Sequence, residues 1–338
     1  MIARTPIVLQ PRFIEDWQQL LATGVSDVEQ LLQMLELRPE QLPELRYHSQ
    51  FPLRVPIGFV KRMRRGDPAD PLLRQILPLA MESSQAPDFN LDPVGDLDAV
   101  TETGLLQKYH GRALLITTGA CAVHCRYCFR RHFPYQKQHA RQHNWHDVIS
   151  HLQSEPNINE LILSGGDPLM LTTGHLTELT NQLAGLKHIK RLRIHTRLPI
   201  VLPERINTQL LQWLSNLPFN IVIVVHANHP AEIDDKVSAS LQALGRLPVT
   251  VLNQSVLLRD INDNCEILAQ LSERLFAAGT LPYYLHLLDK VQGAAHFDIP
   301  ATRAKHLHDK LRQRLPGYLL PQLVYEMAGA SSKIPVND

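Results

Sequence analysis

Residues 118–131 have the sequence TGACAVHCRYCFRR, which places three of the chain's four cysteines, Cys121, Cys125 and Cys128, within eight residues. Because all three thiolates lie on one loop, they can bind a single inorganic centre. Thiolates are soft ligands that suit iron–sulfur clusters or zinc. A four-iron cluster held by three cysteines keeps one iron open for a further ligand, and this is the interpretation that the spacing favours. The alternative is a zinc site completed by His124 or Cys265.

The composition excludes several classes of protein. The 338 residues are 44% hydrophobic, which is enough for a large core. A net charge of +1 provides no field that would attract nucleic acid. The first residues, 1–6, lack the apolar segment of a signal peptide, and no run approaches the roughly 18 apolar residues of a membrane span. Since crowded cysteines also fit a reducing compartment, we expect a cytoplasmic protein with no membrane or nucleic-acid partner.

The N-terminal part of the chain is predicted to be helical over residues 12–84, with a capping box at Ser26–Glu29. The predicted helices there are Val28–Leu37, Val60–Arg65 and Leu72–Met81. Proline and aspartate dominate residues 86–98 and interrupt any periodicity. We therefore predict an α-helical N-terminal region, residues 1–98, and a second domain, residues 99–338.

From Gly104 onward, short β-branched runs alternate with amphipathic helical segments. The predicted strands are Ala113–Thr117, Leu161–Ser164, Arg191–His195, Ile221–His226, Val249–Gln254, Tyr283–Leu287 and Leu319–Glu326. The predicted helices are Trp145–Gln153, Leu176–Ala184, Glu204–Leu214, Asp235–Leu244, Glu266–Ala277 and Ala301–Arg314. Such alternation indicates parallel strands with right-handed crossovers. Six repeats rather than eight favour an α/β fold of the partial (β/α)6 barrel type.

Polar motifs fall at the carboxyl ends of the predicted strands, where barrels of this type carry their functional residues. The Cys-x3-Cys-x2-Cys loop, with an aromatic residue before its last cysteine, resembles the signature of radical S-adenosylmethionine enzymes. Gly165-Gly166-Asp167 follows the second strand and resembles the element that holds the amino group of S-adenosylmethionine in those enzymes. His226 and Gln254 are candidates for contact with the same cofactor, or are polar residues satisfied within the core.

A closer resemblance covers the chain from about residue 50 onward. The motifs YHGR (109–112), LSGGDPL (163–169), RLP (197–199), HANHP (226–230), NQSVLLR (253–259) and PYY (282–284) are, in this order, similar to those of the lysine 2,3-aminomutase family. The resemblance implies three cofactors: a four-iron four-sulfur cluster, S-adenosylmethionine and pyridoxal 5′-phosphate. It also implies a radical rearrangement in which the cofactors carry the chemistry and the protein positions them.

The resemblance assigns residues to pyridoxal phosphate. Lys333, near the carboxyl end, matches the lysine that carries this cofactor between turnovers. Arg112 and Tyr109 match positions that hold its phosphate and ring, a role that suits a guanidinium. Tyr283 is expected to pack at the pyridoxal site.

The resemblance assigns three residues to the substrate. Arg130 matches the arginine that binds the carboxylate of the amino acid, although it could instead balance the charge of the cluster. Asp289 and Glu326 match two acids that bind the side-chain ammonium of lysine, so L-lysine is the expected substrate. Glu326 replaces the usual aspartate and is one methylene longer.

Further expectations follow from the resemblance. Family members carry a longer C-terminal tail with zinc-binding cysteines, whereas only Cys265 lies outside the cluster here, so structural zinc is not expected. The chain most resembles the short bacterial branch that makes (R)-β-lysine, which a separate ligase attaches to elongation factor P. An external electron donor is required, and a homo-oligomer is a further expectation. The alternatives are an aminomutase for another amino acid such as glutamate, or a non-catalytic iron–sulfur or zinc protein.

Overall fold

The computed structural model describes residues 17–47, 51–138 and 145–336, and the predictions that fall on the remaining residues lie outside it. The helices before residue 98 are shorter than the sequence predicts. They are α1 (Trp17–Ala22), α2 (Val28–Met34), α3 (Ile57–Val60) and α4 (Pro71–Arg74). Much of the predicted Val60–Arg65 and Leu72–Met81 is turn or loop, so the prediction of continuous helical structure was wrong there. Prolines recur through this region, and each one removes a backbone donor and restricts the residue before it.

The start of α2 also differs from the prediction. Asp27, rather than Ser26, is the N-cap residue, and its Oδ1 accepts a hydrogen bond from the backbone N–H of Gln30 at 2.8 Å. The Asp27 carboxylate also complements the positive end of the helix dipole. The predicted capping box at Ser26–Glu29 was therefore wrong, and the helix begins with a single side-chain cap from Asp27.

Ten strands in the described part of the chain form one sheet whose spatial order follows the sequence. The strands are β1 (Val100–Glu102), β2 (Leu105–Tyr109), β3 (Arg112–Thr118), β4 (Glu160–Gly165), β5 (Arg191–Thr196), β6 (Asn220–Val225), β7 (Val249–Val256), β8 (Leu281–His286), β9 (Gln322–Tyr325) and β10 (Ile334–Pro335). Strands β3 to β9 pair in parallel, while β1, β2 and β10 add antiparallel pairs at the two edges.

Helices cross between the parallel strands. They are α5 (His146–Ser154), α6 (Thr173–Leu183), α7 (Leu198–Val201), α8 (Thr208–Ser215), α9 (Asp235–Gly245), α10 (Cys265–Ala277) and α11 (Ala301–Arg314). Short polar side chains begin several of them: Thr172, Asn207, Asp234 and Asn264 each accept a backbone hydrogen bond at the N-cap. The predicted partial (β/α)6 barrel is confirmed. The short α7 and the edge strands β1, β2 and β10 were not predicted.

The largest hydrophobic core joins the N-terminal helices to the barrel. Leu72, Leu73 and Ile76 are fully buried in the same cluster as residues of the parallel strands, such as Leu163 and Ile194. The division into residues 1–98 and 99–338 stays a prediction, because a shared core is compatible with one folding unit or with two closely packed ones. In the described ranges, no helix is both long enough and apolar enough to cross a membrane.

Candidate active site

The cysteine loop leaves the carboxyl end of β3 and brings its three thiols together. Cys121, Cys125 and Cys128 are free and half-buried. Burial raises the pKa of Cys121 well above its ordinary value, and the neighbouring Cys128, Asp167 and Cys125 raise it further. Burial, followed by Cys125, raises the pKa of Cys128 to about 11. The three thiols are therefore close enough to influence one another's pKa, and their role as ligands of one cluster stays a prediction.

Nothing in the described part of the chain forms a group of three or more His, Cys, Asp or Glu side chains arranged to hold a single metal ion. A single zinc ion requires about four ligands that converge on one point. A cluster needs less convergence, because each cysteine binds a different iron atom. The described side chains therefore fit the cluster better than the zinc site with His124, whose Nδ1 instead lies 2.8 Å from the carbonyl oxygen of Pro52.

The turn after β4 packs directly against the cysteine loop. Gly165 has φ +115°, and a Cβ there would lie 2.5 Å from the carbonyl oxygen of Thr118. A Cβ on Gly166 would lie 2.3 Å from the carbonyl oxygen of Ala120. Only glycine tolerates the positive φ at residue 165 and the close backbone contacts at residues 165 and 166 without displacing backbone. The close approach that these glycines permit in this structure is therefore to the cysteine loop, and their predicted role at S-adenosylmethionine stays a prediction.

Asp167 is buried, and donors of this chain surround its carboxylate. One oxygen accepts from the backbone N–H of Leu169 and from Thr196 Oγ1, and the other accepts from the N–H groups of Arg197 and Leu198. Burial raises the pKa of Asp167 to about 6 even though these hydrogen bonds oppose the shift. In this arrangement Asp167 joins the turn after β4 to the turn after β5. Its contact with the ammonium of S-adenosylmethionine stays a prediction.

The interior of the barrel is accessible and polar. Along β5 and β7 the outward residues are buried while alternate, inward residues such as His195 and Gln254 are only half-buried. Three buried atoms, His195 Nε2, Gln254 Oε1 and His286 Nε2, have no hydrogen-bond partner in the described part of the chain. Buried polar atoms are normally paired, so these orphaned atoms fit a space that receives a polar cofactor.

The histidines of this space are held neutral. Burial lowers the pKa of His226 to about 4, and Arg197 and Lys333 contribute to the shift. Burial also lowers the pKa of His195 and of His286 well below the ordinary value. At neutral pH each ring therefore keeps one nitrogen as a hydrogen-bond acceptor. The predicted cofactor contact of His226 is compatible with this state and stays a prediction.

A chain of alternating charges crosses the barrel interior. Arg130 Nε lies 2.6 Å from Asp96 Oδ2, and Lys108 Nζ lies 2.6 Å from Asp96 Oδ1. Lys108 Nζ also lies 3.1 Å from Glu326 Oε1, and the other oxygen of Glu326 lies 2.7 Å from Lys333 Nζ. This chain brings together three of the residues predicted for substrate and cofactor. Asp96 and Lys108 were not predicted, because no local pattern distinguishes them from surface charges.

Arg130 is directed at the barrel interior. Its second nitrogen, Nη1, donates to Ser164 Oγ at 3.0 Å. Burial alone would lower the pKa of Arg130, but Asp96 outweighs that effect and the net shift is upward. The neighbouring Arg126 and Arg131 both pair with Glu82. Both the substrate role of Arg130 and the balancing of the cluster charge stay predictions, and Arg130 opposes the effect of burial, which raises the pKa of Cys128.

Asp289 differs from Glu326 in its partners. Its carboxylate makes no hydrogen bond or ion pair with the described residues. Burial and, next, the neighbouring Glu326 raise the pKa of Asp289 to about 7 despite the opposing effect of Lys333 and Lys108. Burial also tends to raise the pKa of Glu326, but Lys333 and Lys108 reverse the shift. Asp289 is thus an acid that lacks a cation.

Of the residues predicted for the pyridoxal cofactor, Tyr109 and Arg112 lie where β2 turns into β3, and Tyr283 lies within β8. The Arg112 guanidinium carbon lies 5.1 Å from the ring centre of Tyr109, and this guanidinium makes no ion pair within the described ranges. Tyr283 Oη donates to Tyr284 Oη at 3.0 Å, and their ring centres lie 3.7 Å apart. A register shift between β7 and β8 places Tyr283 as an extra residue, which allows neighbouring side chains to share a face. A free guanidinium next to aromatic rings fits a phosphorylated aromatic cofactor.

Comparison with known proteins agrees with this geometry. The family model described as the Radical SAM superfamily matches residues 115–222. The L-lysine 2,3-aminomutase of Escherichia coli (strain K12) is 47% identical over 96% of this chain and 95% of its own length. The enzyme of the same name from Haemophilus influenzae is 42% identical over 94% and 95% of the two chains. The one from Clostridium subterminale is 30% identical and covers 95% of this chain but 77% of its own length.

Proposed function

The chain belongs to the L-lysine 2,3-aminomutase family of radical S-adenosylmethionine enzymes, and we propose that it is the isomerase that converts L-lysine to (R)-β-lysine. The observation that carries the proposal is that one barrel holds an arginine, Arg130, together with two neighbouring acids, Asp289 and Glu326, whose charges influence each other. This arrangement complements an amino acid that has a carboxylate at one end and an ammonium at the other. The family implies a four-iron cluster and S-adenosylmethionine, and we propose pyridoxal phosphate as the third cofactor.

We propose that Cys121, Cys125 and Cys128 hold the cluster. Gly165, Gly166, Asp167, His226 and Gln254 lie between the cysteine loop and the barrel interior, where they would hold S-adenosylmethionine. When bound, the cluster and S-adenosylmethionine would supply a carbon-centred radical that removes a substrate hydrogen, and pyridoxal phosphate would hold the migrating amino group. The neutral His226 and the free Oε1 of Gln254 would accept hydrogen bonds from the cofactor.

The residues proposed for pyridoxal phosphate occupy a continuous region of the barrel. Lys333 Nζ lies 5.9 Å from the ring centre of Tyr284, which is next to Tyr283. Arg112 and Tyr109 lie where β2 turns into β3, and Arg112 would bind the phosphate with its unpaired guanidinium. Lys333 would therefore carry the cofactor, the two tyrosines would pack beside it, and Arg112 would bind its phosphate.

The charges favour L-lysine over glutamate. Asp289 and Glu326 are both acidic, and Asp289 has no cation of its own, so the ammonium of lysine supplies the missing partner. A glutamate substrate would place a third carboxylate beside them, and a buried charge without compensation costs roughly 3–5 kcal/mol. In the protein without cofactor, the ion pair with Glu326 also holds the side-chain amine of Lys333 within the site.

Three parts of the proposal rest on family resemblance alone. An external one-electron donor would reduce the cluster. The (R)-β-lysine produced would be passed to a separate ligase for attachment to elongation factor P, and the enzyme could act as a homo-oligomer. The domain division at residue 98, predicted from the proline- and aspartate-rich residues 86–98, is also a proposal.

The test is turnover by anaerobically reconstituted protein that is supplied with all three cofactors and a chemical reductant. Free L-lysine should yield β-lysine, and chiral chromatography should identify the (R) enantiomer. We expect Asp289→Asn and Glu326→Gln to lower lysine turnover at least tenfold while cluster and pyridoxal loading stay at the wild-type level. Glu178→Gln, at an exposed position on α6, is the matched control and should retain full activity. Turnover of both site variants at the wild-type rate, or preferential turnover of glutamate by the unmodified enzyme, would overturn the assignment.

A further inference from the structure

A buried arginine lies directly against one of the cysteine ligands. Arg197 follows β5 and is 8% exposed. Its Nη1 donates a hydrogen bond to Cys125 Sγ at 2.6 Å. Its Nη2 donates to Gln75 Oε1 at 2.7 Å and to Glu232 Oε2 at 3.0 Å.

The surroundings of Arg197 fix its orientation. Glu232 is fully buried, and its second oxygen accepts from the backbone N–H groups of Asn228 and His229 at 2.9 and 3.0 Å. The guanidinium carbon lies 5.6 Å from the ring centres of Phe59 and of Tyr127. The guanidinium is thus held from several sides with one edge towards the sulfur.

Three arginines of the cysteine loop itself pair with carboxylates. Arg126 and Arg131 pair with Glu82, and Arg130 pairs with Asp96. Within the described ranges, Arg197 is the arginine that donates to a cysteine sulfur. Arg197 therefore acts on the proposed cluster site through a direct hydrogen bond to a ligand sulfur, whereas the arginines of the loop pair with Glu82 and Asp96.

Hydrogen bonds and net charge at the ligand sulfurs set the reduction potential of an iron–sulfur cluster. Reduction adds one electron, and one negative charge, to the cluster and its thiolates. We propose that Arg197 raises the reduction potential of the cluster by stabilising this added charge through Cys125, with Glu232 and Gln75 holding the guanidinium in place. The proposal rests on the cluster ligation put forward above. The electron comes from an external one-electron donor, and no bond of the protein forms or breaks.

The test is a potentiometric titration of the anaerobically reconstituted protein, followed by electron paramagnetic resonance of the reduced cluster. The key variant is the double change Arg197→Met with Glu232→Gln, because it removes the cation without leaving a buried carboxylate unpaired. We expect its midpoint potential to fall by about 59 mV or more, which is a tenfold change in the oxidised-to-reduced ratio of a one-electron couple. Iron and sulfide content should equal that of the wild type.

Two further variants make the result decisive. Arg205→Met removes another fully buried arginine, one that donates to the carbonyl oxygens of Leu169 and Leu171 and not to a cysteine, and it should leave the potential unchanged. Arg197→Lys keeps the charge but cannot reach both Cys125 and Glu232, so its potential should fall by less than that of the double variant.

A loaded double variant whose potential equals that of the wild type would refute the proposal. If the double variant does not fold or does not bind iron, the Arg197→Lys protein decides: a potential at or above the wild-type value refutes the role of Arg197. Absence of iron from the wild-type protein would instead contradict the cluster assignment itself, so the two failures are distinguishable.

Discussion

Replacing Asp289 with asparagine should change how the stability of the protein depends on pH. Burial, reinforced by Glu326, raises the pKa of Asp289 from an ordinary value of 3.8 to about 7. One pKa unit corresponds to about 1.4 kcal/mol. Ionising Asp289 in the folded protein therefore costs about 4 kcal/mol more than in the unfolded chain.

The sign of the effect follows from where the proton binds more tightly. The folded state holds the proton of Asp289 more strongly than the unfolded chain does, so the protonated acid contributes stability that is complete below about pH 4. That contribution is lost as the pH rises through about 7. Between about pH 5.5 and pH 8 the wild-type protein should lose about 2 kcal/mol from this group, whereas the asparagine variant loses none of it.

The assay is urea denaturation of the cofactor-free protein at several pH values across this range. The free energy of unfolding of Asp289→Asn, minus that of the wild type, should become more positive by about 2 kcal/mol between about pH 5.5 and pH 8. Glu178→Gln should show no such trend, because that carboxylate is exposed. A difference between Asp289→Asn and the wild type that is constant over this range, or that decreases with pH, would refute the view that Asp289 is an unpaired acid in the empty site.

Three other predictions concern the proposed cofactor sites. Borohydride reduction of the pyridoxal-loaded protein, followed by peptide mapping, should place the pyridoxyl group on Lys333, and a label on another lysine with Lys333 unmodified would contradict this. Gly166→Ala should reduce iron loading at least severalfold because its Cβ would meet the backbone of Ala120, whereas Gly174→Ala, whose Cβ would lie 3.8 Å from its nearest neighbour, should load normally. Iron content should fall in the alanine variants of Cys121, Cys125 and Cys128 but not in that of Cys265. Equal loss of iron in the Cys265→Ala variant would show the assignment wrong.

The barrel could be predicted because its strands are encoded locally. Runs such as Asn220–Val225 are short, β-branched and bounded by turn residues, and helical segments separate them at regular spacing. The position of the candidate site followed from the same pattern, since parallel strands carry their functional loops at one end. The predicted strand Leu319–Glu326 was too long, because β9 covers only Gln322–Tyr325, of which Gln322–Val324 pairs with β8.

The unpredicted features depend on contacts between distant parts of the chain. Lys108 and Asp96 gain their importance from Glu326, which lies 218 residues after Lys108. The hairpin of β1 and β2 was missed because each strand is short and its turn contains only one glycine, Gly104. The N-terminal helices were overestimated because an apolar period indicated helix where frequent prolines and tertiary packing produce turns.

The side chain of Gln75 makes the surroundings of the cysteine loop depend on a segment that precedes the barrel. Its Oε1 accepts from Arg197, 122 residues later, and from Tyr127 and Asn228, while its Nε2 donates to Glu232 at 3.1 Å. A chimaera that joined the barrel of a relative to the first part of this chain at residue 98 would separate these partners unless both parents share them. A chimaera that takes residues 71–77 and the barrel from the same parent would preserve the polar contacts of Gln75, and with them the surroundings of the cysteine loop.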